Sequence, residues 1–162
     1  MAFAVPGARR LGLVLAAAAL AASLVPAAAP APASAATTQA ASVISFAYDQ
    51  VGKPYLLGAI GLRRYDCSGL VYRSFYERGL VNKIGGSRLT ARGYYQWFKS
   101  RGMASRSNPQ KGDLVVWGFG SHIGIYIGGG QVISALTGGV KVHGIFAVTA
   151  TFTAYLHVNM TR

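Results

Sequence analysis

The chain has 162 residues, enough for one domain with a short extension, and a formal charge of +12 from 16 Lys and Arg against 4 Asp and Glu. Its single cysteine, Cys67, excludes an intrachain disulfide, so the thiol is a buried inert group, an intermolecular link or a reactive group. The basic residues are scattered and not interleaved with aromatics on one face, which argues against nucleic acid and leaves an anionic polymer or a merely soluble basic exterior.

The first element reads as a secretory leader over residues 1–35. Arg9 and Arg10 precede an apolar run from Leu11 to Val25, and Pro26, Pro30 and Pro32 break any helix. Ala33-Ser34-Ala35 has the small-x-small pattern of a cleavage site. The apolar run falls short of the roughly 20 residues that span a bilayer, so a membrane anchor is the weaker reading. No cysteine follows the run to carry a lipid. Removing the leader takes only Arg9 and Arg10 from the basic excess, so the exported protein stays basic.

Residues 36–42 read as a short flexible lead-in to one domain over 43–162. Val43, Ile44, Ala47 and Val51 recur at helical spacing and predict a helix over Ala41 to Val51, stopped by Gly52 and Pro54. A Gly-rich loop, Tyr55 to Arg64, leads to Asp66, a favoured N-cap for a second helix whose repeats run through Leu70, Val71, Ser74, Phe75 and Arg78 to a stop at Gly79. A weaker third helix is expected over Leu89 to Lys99. Beyond Pro109 the pattern turns to short strands: Leu114 to Phe119, His122 to Ile127, Val132 to Ala135, Val140 to Gly144 and Phe152 to Val158. Helices followed by strands imply an α+β domain, its helices packed on a single antiparallel sheet of five to six strands.

Asp66-Cys67-Ser68-Gly69 carries the chemical signal. With Asp66 as cap, Cys67 is the first helical residue. The partial positive charge of a helix N-terminus favours thiolate and lowers a cysteine pKa. Backbone N–H groups there can receive a developing oxyanion. Gly69 is expected to let a substrate backbone approach. The competing reading is a core cysteine on an amphipathic helix. A nucleophilic thiol needs a base. His122, opening an apolar strand after Gly118 to Ser121, is the candidate; His143 and His157 read as ordinary strand residues. The three histidines lack the spacing of a metal site, and no cofactor is expected.

Four segments occur in one order: Gly52-Lys53-Pro54-Tyr55, Asp66-Cys67-Ser68-Gly69, Lys111-Gly112-Asp113-Leu114-Val115 and His122-Ile123-Gly124-Ile125-Tyr126-Ile127-Gly128. Together they resemble the NlpC family of cell-wall peptidases, usually named jointly with the p-sixty proteins, across Ala41 to Val158. The resemblance implies a papain-like fold and hydrolysis of the γ-D-glutamyl bond to a diamino acid in peptidoglycan stem peptides. It implies Cys67 as nucleophile and His122 as base. Tyr55 matches a tyrosine whose hydroxyl lies near the nucleophile, and Asp66 and Ser68 match positions that shape the helix start and the substrate or oxyanion site.

The chain departs from the family pattern where Leu57 stands for a tryptophan and Ala59 for a glycine. The family's third catalytic residue, commonly histidine, falls twelve positions after the base, at Ser134. A third residue holds the imidazole in its working tautomer. Ser134 can accept a hydrogen bond but carries no charge. His143 is the alternative: a turn near Thr137-Gly138 would pair Ser134 with Lys141 and set His143 on the same sheet face. Arg63 or Arg64 is expected to pair with a carboxylate of the stem peptide. The expected protein is thus a secreted, wall-associated, monomeric thiol peptidase with stem peptides as substrate and anionic wall polymers as partners. A weakly active or inactive wall-binding module and an amidase of the same fold are the alternatives.

Overall fold

A computed structural model of the chain describes residues 1–3 and 33–160. Arg9, Arg10 and the apolar run of the expected leader lie outside the described residues. Three helices precede most of a sheet, all within the unit 31–162.

Helix α1 spans Ala33–Tyr48. It starts eight positions before the expected Ala41 and takes in the anticipated lead-in and the Ala33-Ser34-Ala35 tripeptide. The segment is rich in alanine, the strongest helix former, and that propensity extends the helix backward. Ala40, Val43 and Ala47 are its buried stripe. Helix α2, Cys67–Tyr76, begins as expected: Asp66 has extended backbone and its carboxylate accepts from Gly69 N–H at 2.6 Å. Leu70, Val71 and Phe75 are fully buried, each burial worth roughly 1.5–3 kcal/mol. A 3₁₀ turn, Val81–Ile84, follows. Helix α3 is Ala91–Lys99, capped by Thr90, with Tyr94 and Phe98 buried.

The sheet has six strands in the order β1-β6-β2-β3-β4-β5, every pair antiparallel. They are β1 Ala104–Ser105, β2 Leu114–Trp117, β3 His122–Gly128, β4 Gln131–Leu136, β5 Gly139–Gly144 and β6 Phe152–Leu156. The two residues of β1, paired with Leu156 and Tyr155, are too few to leave a periodic signal. Leu114, Val116, Ile123, Ile125, Ile133 and Val140 join the core under the helices. Val115, Trp117, Tyr126, Val132, Phe152 and Tyr155 form a second cluster on the opposite face with Ile145 from the β5–β6 connection. Burial on both faces explains why β2 reads as an unbroken apolar run instead of alternating. In the β4–β5 hairpin Ser134 pairs with Lys141 and Val132 with His143, so Ser134 and His143 share a face, as the turn position predicts.

Candidate active site

Cys67 is placed by the helix start, and the helix start is placed by Asp66. Asp66 is buried, its side chain 6% exposed. Its Oδ1 accepts from Gly69 N–H at 2.6 Å and Ser68 Oγ at 2.9 Å. Its Oδ2 accepts from Gly58 N–H at 2.7 Å and the Arg88 guanidinium at 2.6 Å. One side chain thus ties α2 to the Gly-rich loop and to the segment before α3. Ser68 spends its hydroxyl on this cap, and Asp66 acts on the helix start.

Gly69 has a different role from the one expected. A Cβ there would lie 2.0 Å from the Ala59 carbonyl oxygen. The backbone that approaches is the chain's own loop, whose Ala59 carbonyl also accepts from Asp66 N–H at 3.0 Å.

Cys67 is half-buried. Burial pushes its thiol pKa up, and the Asp66 charge adds to the rise; hydrogen bonds from the backbone N–H groups of Ile123, Ser68 and Cys67 itself oppose it. The helix terminus acts in the expected sense, but desolvation of the thiolate outweighs it, so the expected net lowering is corrected to a rise. Tyr55, half-buried, is raised by burial and then by the Cys67 and Asp66 charges.

His122 opens β3, one residue before the Ile123 N–H that meets the sulfur. Burial, then the charge of His143, lowers its pKa to about 4. Its Nε2 lies 2.9 Å from Ser134 Oγ, and Ser134 is completely buried. Ser134 Oγ in turn lies 2.7 Å from His143 Nε2. The Trp117 ring flanks both imidazoles, at 5.3 and 5.9 Å. The two candidates for third residue are therefore joined in one chain of contacts.

A cleft of about 430 Å³ runs over Cys67, with Tyr55, Leu57, Ser68, Arg88 and Ser121 among its walls. Leu57, which stands for the family tryptophan, is 80% exposed at its rim. Arg63 and Arg64 are exposed and do not line it. Arg88 is the arginine of the cleft, and no local sequence signal marks it, because its partner lies 22 residues away. His157 belongs elsewhere: it bonds Asp113 at 2.9 Å and Ser105 at 2.7 Å. Among the described residues no group of His, Cys, Asp and Glu could hold a metal ion, and no helix is long and apolar enough to cross a membrane.

A thiol on a helix start, met by a backbone N–H of the strand that His122 opens, fits the layout of a papain-like cysteine peptidase. The NlpC/P60 family model matches residues 52–158, and the chain belongs to that family. It is 39% identical over 102 residues to a probable endopeptidase p60 of Listeria grayi, a match over 61% of this chain and 18% of the relative. The chain thus spans less than a quarter of the length of the curated relatives it matches. Among solved structures, the peptidoglycan hydrolase RipB of Mycobacterium tuberculosis superposes with a TM-score of 0.62 at 26% identity, over 79% of this chain and 69% of that one. The NlpC/p60 domain of the peptidoglycan hydrolase SagA gives 0.57 at 26% identity, over 74% and 98%.

Proposed function

We propose that the chain is an exported cysteine endopeptidase that hydrolyses the bond between γ-D-glutamate and the diamino acid of peptidoglycan stem peptides. One observation carries the reading. Cys67 lines the cleft from the first turn of α2, while β3 brings the Ile123 N–H to its sulfur and holds His122 against buried Ser134. Family membership and the names of the relatives support the substrate class. Ser134, as positional third residue, keeps His122 in place.

With the thiol raised and His122 held at about 4, both groups are neutral at rest. Proton transfer from Cys67 to His122 then accompanies attack of Sγ on the amide carbonyl instead of preceding it. The charge on the tetrahedral oxygen meets backbone N–H groups at the start of α2 and the Tyr55 hydroxyl, which stays protonated because its pKa is raised. The imidazolium protonates the leaving amine, and the C–N bond breaks to leave a thioester. Water, deprotonated by His122, releases the glutamyl carboxylate and restores the thiol. Residues 1–35 direct export, and the basic excess that remains without them favours acidic wall polymers.

Digestion of purified muropeptides beside Cys67→Ala, read by mass spectrometry, tests the proposal. Fragments split between D-glutamate and the diamino acid, absent with Cys67→Ala, are expected. Fragments split at the sugar–peptide link would make the enzyme an amidase. No cleavage with wall binding retained would make it a binding module.

A further inference from the structure

A serine next to a catalytic imidazole leaves a physical problem. A hydroxyl both donates and accepts, so by itself it tolerates either tautomer of the histidine it touches. The resolution lies one residue further along the chain of contacts. His143 Nδ1 lies 2.9 Å from the Gly144 carbonyl oxygen. A carbonyl only accepts, so the hydrogen sits on Nδ1. Neutral His143 then has its lone pair on Nε2, 2.7 Å from Ser134 Oγ, and the serine hydroxyl donates there. With its one proton committed, Ser134 Oγ accepts from His122 Nε2 at 2.9 Å. His122 must therefore carry its hydrogen on Nε2 and keep a bare lone pair on Nδ1, the nitrogen left to serve Cys67. With His143 neutral, each step follows from the one before, starting from a backbone group that cannot change its role.

The fold protects this order. Ser134 is fully buried, so no water competes for its proton. Trp117 flanks both imidazoles but donates its own Nε1–H to the Ile145 carbonyl at 2.8 Å, so it offers neither histidine a rival partner. The register that pairs Val132 with His143 and Ser134 with Lys141 holds serine and histidine on one face at this spacing.

We propose that His143 is a positioning residue of this site: acting through Ser134, it fixes the tautomer of His122 and so supplies a base with a free Nδ1. The proposal rests on the cysteine peptidase reading for its kinetic consequences, but not for the tautomer itself. It also answers how a chain with serine in place of the family's usual histidine keeps an oriented imidazole.

The test has two readouts. Nitrogen-15 NMR of labelled protein reports which ring nitrogen of each histidine carries hydrogen; the wild type is expected to show hydrogen on His122 Nε2 and on His143 Nδ1. In His143→Leu the serine proton loses its acceptor, and a mixture of His122 tautomers is expected. On a stem-peptide substrate, kcat should fall on the order of 10²-fold with KM nearly unchanged, less than the roughly 10⁴-fold cost of locking the wrong tautomer in a serine peptidase. His143→Gln, whose amide oxygen can accept from Ser134, should recover most of the loss. A wild-type His122 with hydrogen on Nδ1 overturns the proposal without any variant. So does a His143→Leu protein with unchanged tautomer or unchanged kcat. If no stem peptide is cleaved by the wild type, the proposed function fails, and the tautomer measurement still decides the role of His143.

Discussion

Replacing Asp66 by alanine and by asparagine separates a helix cap from a charge. Alanine removes all four acceptor contacts of the carboxylate. Loss of the cap costs about 1 kcal/mol. The Gly58 N–H, left without its acceptor, adds roughly 1–3 kcal/mol. Arg88, 32% exposed, turns to water, so its ion pair contributes no more than about 1 kcal/mol. The expected loss is about 2–5 kcal/mol, a large share of the roughly 5–15 kcal/mol typical of a folded domain. Asparagine caps as well as aspartate and keeps the Oδ1 contacts, so it should cost about half as much. It also removes the charge that helps hold the Cys67 pKa up, so the thiol should alkylate faster near neutral pH. Urea unfolding midpoints and iodoacetamide rates measure both effects. Equal destabilisation by the two variants would refute the capping role, and slower alkylation of Asp66→Asn would refute the electrostatic one.

Gly69→Ala forces a methyl group to within 2.0 Å of the Ala59 carbonyl; since backbone must move, a destabilisation of at least about 1–3 kcal/mol and a drop in turnover from the displaced Cys67 are expected, measured by urea unfolding and muropeptide kinetics. His122 gives the protein a pH-dependent stability. Its value of about 4 in the folded chain lies below its ordinary 6.5, so the unfolded chain binds the extra proton between these values. Its contribution is complete above about pH 6.5 and is lost as pH falls through about 4, a span worth up to roughly 3 kcal/mol. His122→Gln should flatten unfolding curves in that window; parallel curves for the two proteins would count against burial of a neutral imidazole.

The parts of the site that depend on near neighbours were legible in the amino-acid sequence. Capping acts over three residues, so Asp66 announced the start of α2 and the position of Cys67. Strand runs and a two-residue turn determine hairpin register, so the shared face of Ser134 and His143 followed from spacing. His122 was marked by its place at the mouth of an apolar strand and by the family pattern. The alanine-rich residues before Val43 carry no apolar periodicity, so the helix that their propensity extends back to Ala33 left no amphipathic signal in the sequence.

What joined distant segments was decided only by tertiary structure. Arg88 meets Asp66 across 22 residues, and the arginines that shortly precede Cys67 in sequence, Arg63 and Arg64, are not among the cleft's walls. Gly69 is small because a loop of the same chain presses on it, a contact no local pattern encodes. The direction of the Cys67 pKa shift turned on desolvation, which depends on everything folded around the sulfur, whereas the opposing helix-terminus effect belongs to the local motif. Sequence alone thus determined which residues stand at the ends of which elements, since those choices are local. The order of proton donors from Gly144 through His143 and Ser134 to His122 needed the folded sheet, because a hydrogen-bond direction exists only once both partners are in place.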